Sequence, residues 1–463
     1  MGSDGPVPGE CTMKIIVVGG GKIGETLVEQ LAREGHDLVL IDNQQRVIDE
    51  TENRLDVMGV YGNGASHQVQ MEAGVPRADL LIAATSSDEL NILCCLVAKK
   101  LGARHTIARV RNPEYSDQLV FLRDELGLSM SINPEAAAAG ELFRMLRFPS
   151  ALKIETFSRG RVEMAEVRLR EGGSLDGLYL HEFSRKFQVK VLVCIVQRGE
   201  EVFIPTGDFR MAAGDKISIA AGPSEIEQFF RAAGLMKEQA HSVMIVGGGR
   251  IAHYLGRKLL GIGVSVKIID SNPQRCRQLC EQMPRAMIIC GDGTKQELLF
   301  EEGLERVDAF VSLTGLDEQN AILSMFAASR GVSKVITKVS RTSLLSLVES
   351  AGLESVISPK EITANQIIRY VRAMQNSLGS NVETLYKLVG GRVEALEFRV
   401  SPEFSHIGVP LRDLTLKPNL LLACITRDGK AIIPGGNDSI VANDRVIIVT
   451  TNQQLRDLSD ILL

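Results

Sequence analysis

Residues Lys14–Glu25 read KIIVVGGGKIGE: a short apolar run, three glycines, then the opening of a helical pattern. Gly19-Gly20-Gly21-Lys22-Ile23-Gly24 has the form GxGxxG. Gly19 permits a tight turn, Gly21 lets backbone approach a pyrophosphate, and Gly24 lets helix and strand pack closely, with the helix N-terminus favouring the anion. The motif alone is weak evidence. Here it sits between a strand and a helix, and Asp42, at the end of VLID, follows Gly24 by 18 residues. Such a carboxylate accepts hydrogen bonds from a ribose diol and repels a 2′-phosphate, which favours NAD or an adenosine nucleotide over NADP. Arg46 stands against this, as a cation able to face a 2′-phosphate.

The same text returns 228 residues later as Ser242–His253, SVMIVGGGRIAH. Asp42 pairs with Asp270 at the same offset. Gly62 in YGNGAS pairs with Gly291 in CGDGTK, Thr85 in TSSDELN with Thr314 in TGLDEQN, and Arg109 with Lys338, each at 229. Pro134 and Pro359 are 225 apart. Landmarks repeated in one order indicate a duplication.

The chain has 463 residues, which at ~150 per domain predicts two to four domains. With 52 Lys and Arg against 57 Asp and Glu, it lacks the basic excess of a constitutive nucleic-acid binder. Hydrophobic residues make up 44%, enough for several cores and against disorder as the main state. Tryptophan is absent and aromatics reach only 5%, which disfavours an aromatic platform for sugars or single strands. The longest apolar stretches, such as Ile92–Ala98, are far short of the roughly 20 residues of a membrane helix. Cys11, Cys94, Cys95, Cys194, Cys276, Cys280, Cys290 and Cys424 form no CxxC and match no zinc spacing, so no metal site is expected. They read as buried or incidental thiols in a reducing cytoplasm.

Each copy has two sections. In 13–135 and 241–360, apolar runs (IIVVGG, DLVLID, DVMGVYG, ADLLIAAT, HTIARV and SMSINP in the first copy) alternate with helical segments. Strands apolar on both faces mean a parallel sheet covered by helices, a Rossmann-like nucleotide-binding unit. In 150–235 and 383–463, short strands with Gly-rich turns (EMAEVRL, FQVKVLVCIVQRG, EVFIP, DKISIAA, and VEALEFRV, LLLACITRDG, KAIIP, DRVIIVT) predict a small β-rich α/β module. The fold class is α/β, in tandem. Linker helices are expected over 136–149 and 361–380. Their apolar stripes, Leu142, Phe143 and Leu146, then Ile367, Ile368 and Val371, suit either ordinary core or packing on a partner subunit. Residues 1–12, polar and rich in Gly and Pro, read as a disordered leader or tag ahead of Met13.

The second loop, Gly247-Gly248-Gly249-Arg250-Ile251-Ala252, carries Ala at the third glycine position, and its site is the less certain of the two. Lys22 and Arg250 are candidate phosphate contacts. Gly62-Asn63 and Gly291-Asp292 follow the third strands, where a base commonly lies. Thr85-Ser86 and Thr314-Gly315 end the fourth strands, and Arg109 and Lys338 the fifth, at the ligand edge of the sheet. Glu135 is a weaker candidate for holding a cation, with Lys360 opposite it in the second copy. Catalytic constellations are missing: the histidines form no HExxH, and neither a GxxxxGK[ST] loop nor a GxSxG elbow occurs. Nucleotide binding without chemistry is the simplest reading.

The order GGGKIG, VLID, YGNGAS, TSSDELN, IARV, then a β-rich module, all repeated, closely resembles the TrkA family, the peripheral regulatory subunits of Trk-type bacterial potassium uptake systems. The resemblance covers about 13–463, with both regulator-of-potassium-conductance repeats. It implies a cytoplasmic gating ring on the inner face of the cell membrane, beneath a Trk-type potassium channel subunit. Four copies of a tandem chain (a homotetramer) would make eight lobes, with NAD(H) and ATP or ADP in the N-terminal ones. The residues carried over are Gly19, Gly21, Lys22, Gly24, Asp42, Thr85 and Arg109 with their second-copy partners. Ala252, and Lys360 opposite Glu135, depart from equal lobes and imply unequal occupancy. The competing class is an NAD-dependent oxidoreductase or soluble redox sensor, which the missing catalytic set disfavours. A transcriptional redox repressor is disfavoured by the acidic balance.

Overall fold

The computed structural model describes residues 12–115, 118, 125–148, 150–235, 240–353, 355–376, 382–452, 455 and 457–463. The expected leader, apart from Thr12, and the expected linker residues 377–380 lie outside them.

The apolar runs form β1 (Lys14–Val18), β2 (Asp37–Asp42), β3 (Met58–Tyr61), β4 (Leu80–Ala83), β5 (His105–Arg109) and β6 (Met130–Ile132). They make one parallel sheet in the order β3-β2-β1-β4-β5-β6. Order reverses between β1 and β4, which opens a crevice at their carboxyl ends. The helices between them are α1 (Lys22–Arg33), α2 (Gln45–Glu52), α3 (His67–Glu72) and α4 (Asp88–Leu101). Strand residues alternate faces. Ile15 and Val17 meet Leu27 and Leu31 of α1, whereas Ile16 and Val18 meet Cys94, Cys95 and Ala98 of α4.

A helix, α5 (Pro134–Arg147), leads to the first module: β7 (Lys153–Phe157), β8 (Val162–Arg168), α6 (Leu180–Phe187), β9 (Leu192–Arg198), β10 (Glu201–Phe203), β11 (Lys216–Ala221) and α7 (Pro223–Ala232). The second lobe repeats the first with β12 (Ser242–Val246), α8 (Arg250–Gly261), β13 (Ser265–Asp270), α9 (Pro273–Gln282), β14 (Met287–Cys290), α10 (Gln296–Glu301), β15 (Ala309–Ser312), α11 (Asp317–Ser329), β16 (Lys334–Lys338), α12 (Leu345–Ser350) and β17 (Val356–Ile357). Its order, β14-β13-β12-β15-β16-β17, is the same. After α13 (Pro359–Asn376) the second module has β18 (Val382–Leu388), β19 (Val393–Arg399), β20 (Leu420–Arg427), β21 (Lys430–Ile432) and β22 (Arg445–Thr450).

Each module is an antiparallel five-stranded sheet. One expected strand is shorter than its sequence suggested. FQVKVLVCIVQRG begins its strand only at Leu192, because Phe187 closes α6 and, with Phe183, packs on Phe229 of α7. In both modules a buried aspartate holds an arginine with both oxygens, Asp215 with Arg198 and Asp444 with Arg427, at 2.8–2.9 Å. Where the first module has helices α6 and α7, the second has 3-10 turns, Leu411–Asp413 and Leu458–Ile461.

The two linker helices exchange places. Ala138, Ala139, Leu142, Met145 and Leu146 of α5 pack on Val243, Ile245, Leu255 and Leu259 of the second lobe. Ala364, Ile367, Ile368, Val371 and Met374 of α13 cover Met13, Ile15, Leu27 and Leu31 of the first. The stripes therefore pack on the opposite lobe: each half lends its helix to the other half of the same chain. Arg372 fixes one crossing through a two-pronged pair with Glu34, at 2.8 and 3.1 Å. The modules also meet: Phe157, Met164 and Cys194 share a core with Tyr386, Leu388 and Cys424. Ser158 there hydrogen-bonds to Glu397 and Thr426. Among the described residues, no helix is long and apolar enough to cross a membrane.

Where α5 meets the first module, Glu141 is buried near Lys153, Glu155, Arg144 and Arg369, and Lys153 pairs with Glu155 at 2.8 Å. Burial, then Glu155, pushes the Glu141 carboxyl from its ordinary 4.5 up to about 7. The folded protein thus binds a proton that the unfolded chain releases between these values. Stability from this group is full below pH 4.5 and lost as pH rises through 7. Glu141→Gln is expected to flatten that slope and make the protein more stable than the parent at pH 8. Thermal unfolding of both proteins between pH 5 and 8 checks it, and parallel profiles would count against it.

Candidate functional site

The first glycine loop turns between β1 and α1 under tight steric limits. Gly19 has φ +96°, and a Cβ there would lie 3.0 Å from the Thr85 backbone at the end of β4. A Cβ on Gly24 would lie 1.8 Å from the Gly19 carbonyl oxygen, so β1 and α1 touch backbone to backbone. Gly21 has nothing within 4 Å of its would-be Cβ and caps α1 without a side chain. Its face is open to an incoming group, and the first amides of α1 are aimed there. Gly249 in the second loop is open in the same way.

Asp42 spans this turn. Its Oδ2 accepts from Gly20 N at 2.7 Å and its Oδ1 from Gln44 N at 2.9 Å. Asp270 repeats both bonds, to Gly248 N at 2.7 Å and Asn272 N at 2.8 Å. Each carboxylate keeps further lone pairs for a sugar hydroxyl. Gly62 and Gly291 continue the edge by bonding to the Asp42 and Asp270 carbonyls, both at 2.9 Å. Asn63 and Asp292 fold back on their own loops, accepting from Ala65 N and from Thr294.

Thr85 and Thr314 act as braces. The Thr85 hydroxyl and amide both donate to Asn91 Oδ1, at 2.7 and 2.8 Å, and Asn91 Nδ2 donates to the carbonyls of Thr85 and Arg109. Thr314, Asn320 and Lys338 repeat the network. Asp88 collects the amides of Arg111 and Asn112, each at 2.8 Å, and Asp317 that of Arg341. The TSSDELN and TGLDEQN motifs therefore tie the fourth strand to the loop after the fifth. The sequence reading quoted Asp88 and Asn91 but gave them no role, since spacing alone does not show that a helix's first turn faces that loop. Ser86 and Gly315 are exposed beside these braces, and Ile23 and Ile251 are half-buried helix residues.

The cations decide the electrostatics. Arg109 is part-buried and donates to the Thr85 carbonyl, while its Nε has no partner. Burial, then Arg111, with Arg250 of the other lobe adding, lowers its guanidinium to about 10. Burial pushes the Glu135 carboxyl up, against Arg111, Arg250 and Arg109. Lys338 is lowered by burial and further by Lys22, again from the opposite lobe. Lys22 and Arg250 themselves are exposed. Each loop cation thus lies within electrostatic reach of the fifth-strand cation of the other lobe, and Tyr254 of the second lobe hydrogen-bonds to Asn133 and the Arg111 carbonyl of the first at 2.8 and 3.2 Å. The second crevice has an addition that the sequence reading missed. Arg275 reaches across the loop, donating to Gly248 O at 2.6 Å, where the first copy has Val47. Arg46, the counter-sign at the first site, pairs with Glu50 at 2.6 Å on the surface. Among the described residues no group of His, Cys, Asp and Glu is arranged to hold a metal ion.

Comparison with known proteins agrees with this layout. Family models of the TrkA-N domain match residues 15–134 and 243–359, and of the TrkA-C domain residues 164–234 and 395–463. The Trk system potassium uptake protein TrkA homolog of Archaeoglobus fulgidus is 32% identical over 97% of this chain and 100% of its own. The Trk system potassium uptake protein TrkA of Haemophilus influenzae is 29% identical over 97% of this chain and 96% of its own. Among solved structures, the GsuK RCK domain superimposes with a TM-score of 0.63 at 18% identity, over 96% of this chain and 94% of that one. The GsuK channel bound to NAD gives 0.63 at 18%, over 96% and 78%. The second likeness, like the first, is one of fold. Matched over both halves by two domain models and over nearly its whole length by these relatives, the chain belongs to the TrkA family.

Proposed function

We propose that the protein is the cytoplasmic, nucleotide-sensing regulatory subunit of a Trk-type potassium uptake system and is not itself an enzyme. NAD(H), ATP or ADP in its lobes changes the shape of a ring of four chains and so gates the pore-forming subunit. The observation that carries this reading is that each glycine-loop cation lies within electrostatic reach of the other lobe's fifth-strand cation. Phosphates on one glycine loop meet cations of both lobes, Lys22 with Lys338 or Arg250 with Arg109. A ligand held this way binds differently when the angle between lobes changes, and only such differential affinity moves a conformational equilibrium. The relatives named as Trk potassium uptake proteins and the NAD-bound GsuK channel support the ligand class and the partner. Ring formation is supported by apolar side chains exposed on the helices after the fourth strands: Leu93 on α4, and Ile322 and Met325 on α11.

Calorimetry on the full chain with NADH, NAD, ATP and ADP tests the ligand class. Saturable binding without turnover is expected, together with co-purification of the pore subunit. Binding of NADPH alone, or steady consumption of cofactor, would overturn it. The lobes should differ. Asp42→Ala removes the ribose acceptor and leaves the Gly20 and Gln44 amides unpaired, whereas Arg275 still supports the second loop in Asp270→Ala. A lost hydrogen bond to a charged group costs about 1.5–3 kcal/mol, so tenfold or more in affinity is expected from Asp42→Ala. A smaller loss is expected from Asp270→Ala, and equal losses of NADH affinity would refute the asymmetry.

A further inference from the structure

Behind the second ribose carboxylate lies a group of thiols that the nucleotide site does not use. β14 is the edge strand of its sheet, and Cys290 ends it directly beside Asp270 in the parallel register. The first turn of α9 brings Cys276 back over the same strand end. Its Sγ lies 3.3 Å from the Asp270 carbonyl oxygen and 3.9 Å from that of Ile289, the residue directly before Cys290 on the strand. Cys276 is buried, whereas Cys290 and Cys280 are exposed. The fold does not require sulfur here: the first copy has Ile48, Glu52 and Tyr61 at the three positions, and Ile48 fills the same core site. By contrast Cys194 and Cys424 are sealed in the interface between modules.

We propose that Cys276 and Cys290 form a reversible dithiol–disulfide site, oxidised by exchange with a low-molecular-weight disulfide of the glutathione class. The exposed Cys290 thiolate attacks one sulfur of that disulfide. The small S–S bond breaks, and the departing thiolate takes up the proton that Cys290 released. Cys276 then attacks Cys290 Sγ, the mixed disulfide breaks, and the second small thiolate leaves with the Cys276 proton. Two protein thiols lose two electrons, and one small disulfide becomes two small thiols. Burial raises the Cys276 thiol and shields it from solvent, whereas Cys290 is exposed, which leaves the first attack to Cys290. The new bond staples the first turn of α9 to the sheet edge. Arg275, the neighbouring residue, holds the second glycine loop, so on the nucleotide reading above the staple also stiffens that site.

The test is thiol mapping of the full chain. Reduced protein is equilibrated at increasing ratios of oxidised to reduced glutathione, alkylated with iodoacetamide, digested and weighed. The Cys276 and Cys290 peptides are expected as one cross-linked species, lighter by two hydrogens and separated by dithiothreitol. Cys290→Ser is expected to abolish it without changing the melting midpoint of the reduced protein. Full alkylation of either thiol at the oxidising end, glutathione persisting on Cys290, or a link through Cys280 would each overturn the proposal. Because the mass readout needs no nucleotide, its failure is distinct from a failure of ligand binding.

Discussion

Gly24→Ala is expected to weaken nucleotide binding in the first lobe more than tenfold and leave the second intact, although the second lobe natively carries Ala252 at the matching position. The would-be methyl sits 1.8 Å from the Gly19 carbonyl oxygen, a backbone atom that no rotamer change can move aside. Gly19 itself packs beside the Thr85 backbone, close enough that even a Cβ would lie 3.0 Å from it, and Asn91 holds that backbone in place. Relief requires α1 to lift from β1, and that turns its open amides away from the loop. Overpacking of this kind costs about 1–3 kcal/mol. The loss of affinity is expected to exceed tenfold in the first lobe, with a lower melting midpoint for the whole protein. The reverse change, Ala252→Gly, removes one buried methyl and costs about 1 kcal/mol of helix propensity, with the loop preserved. Calorimetry of both variants separates the lobes; unchanged binding in Gly24→Ala would show that the first loop does not hold phosphate.

The second large effect concerns assembly. Ile322 is 66% exposed, Leu93 47% and Met325 42%, on helices that otherwise bury their apolar residues against the sheets. An isolated chain presents these side chains to water on the matching helices of its two lobes, which favours repeated self-contact. Leu93→Asp with Ile322→Asp places a charge in each such contact. The double variant is expected to sediment as a single chain, the parent as four. Since neither side chain belongs to a lobe core, the melting midpoint of the chain itself should move little. A parent that runs as one chain at micromolar concentration, or a double variant that still assembles, would remove these faces from the ring.

Much of this architecture is legible in the sequence for a physical reason. A strand buried on both faces must be continuously apolar, and a glycine loop that touches two backbones tolerates nothing larger, so β1, β4 and Gly19–Gly24 announce themselves. Asp42 and Asp270 fall where their spacing predicts. What escaped depends on which surfaces meet. The stripe Leu142, Phe143 and Leu146 states that α5 is covered, not by what, and its partner lies in the other half of the chain. The roles of Asn91 and Asp88 required knowing that α4 begins beside the loop after β5. The thiols at 276 and 290 read as incidental because nothing in their spacing reveals that Asp270 and Cys290 are register partners. One difference between the copies was not legible as part of the site: Arg275, opposite Val47, reaches the second glycine loop itself.

The exchanged helices have a mechanical consequence. α5 belongs by connection to the first module, yet it rests on the sheet of the second lobe; α13 rests on the first lobe and continues toward the second module. A rigid rod follows the surface it lies on and pulls whatever it is tied to. A tilt of the first sheet is therefore delivered to the second module, and a tilt of the second sheet to the first. The connections run crosswise, so on the proposed function a change at one crevice would reach the far half of its own chain.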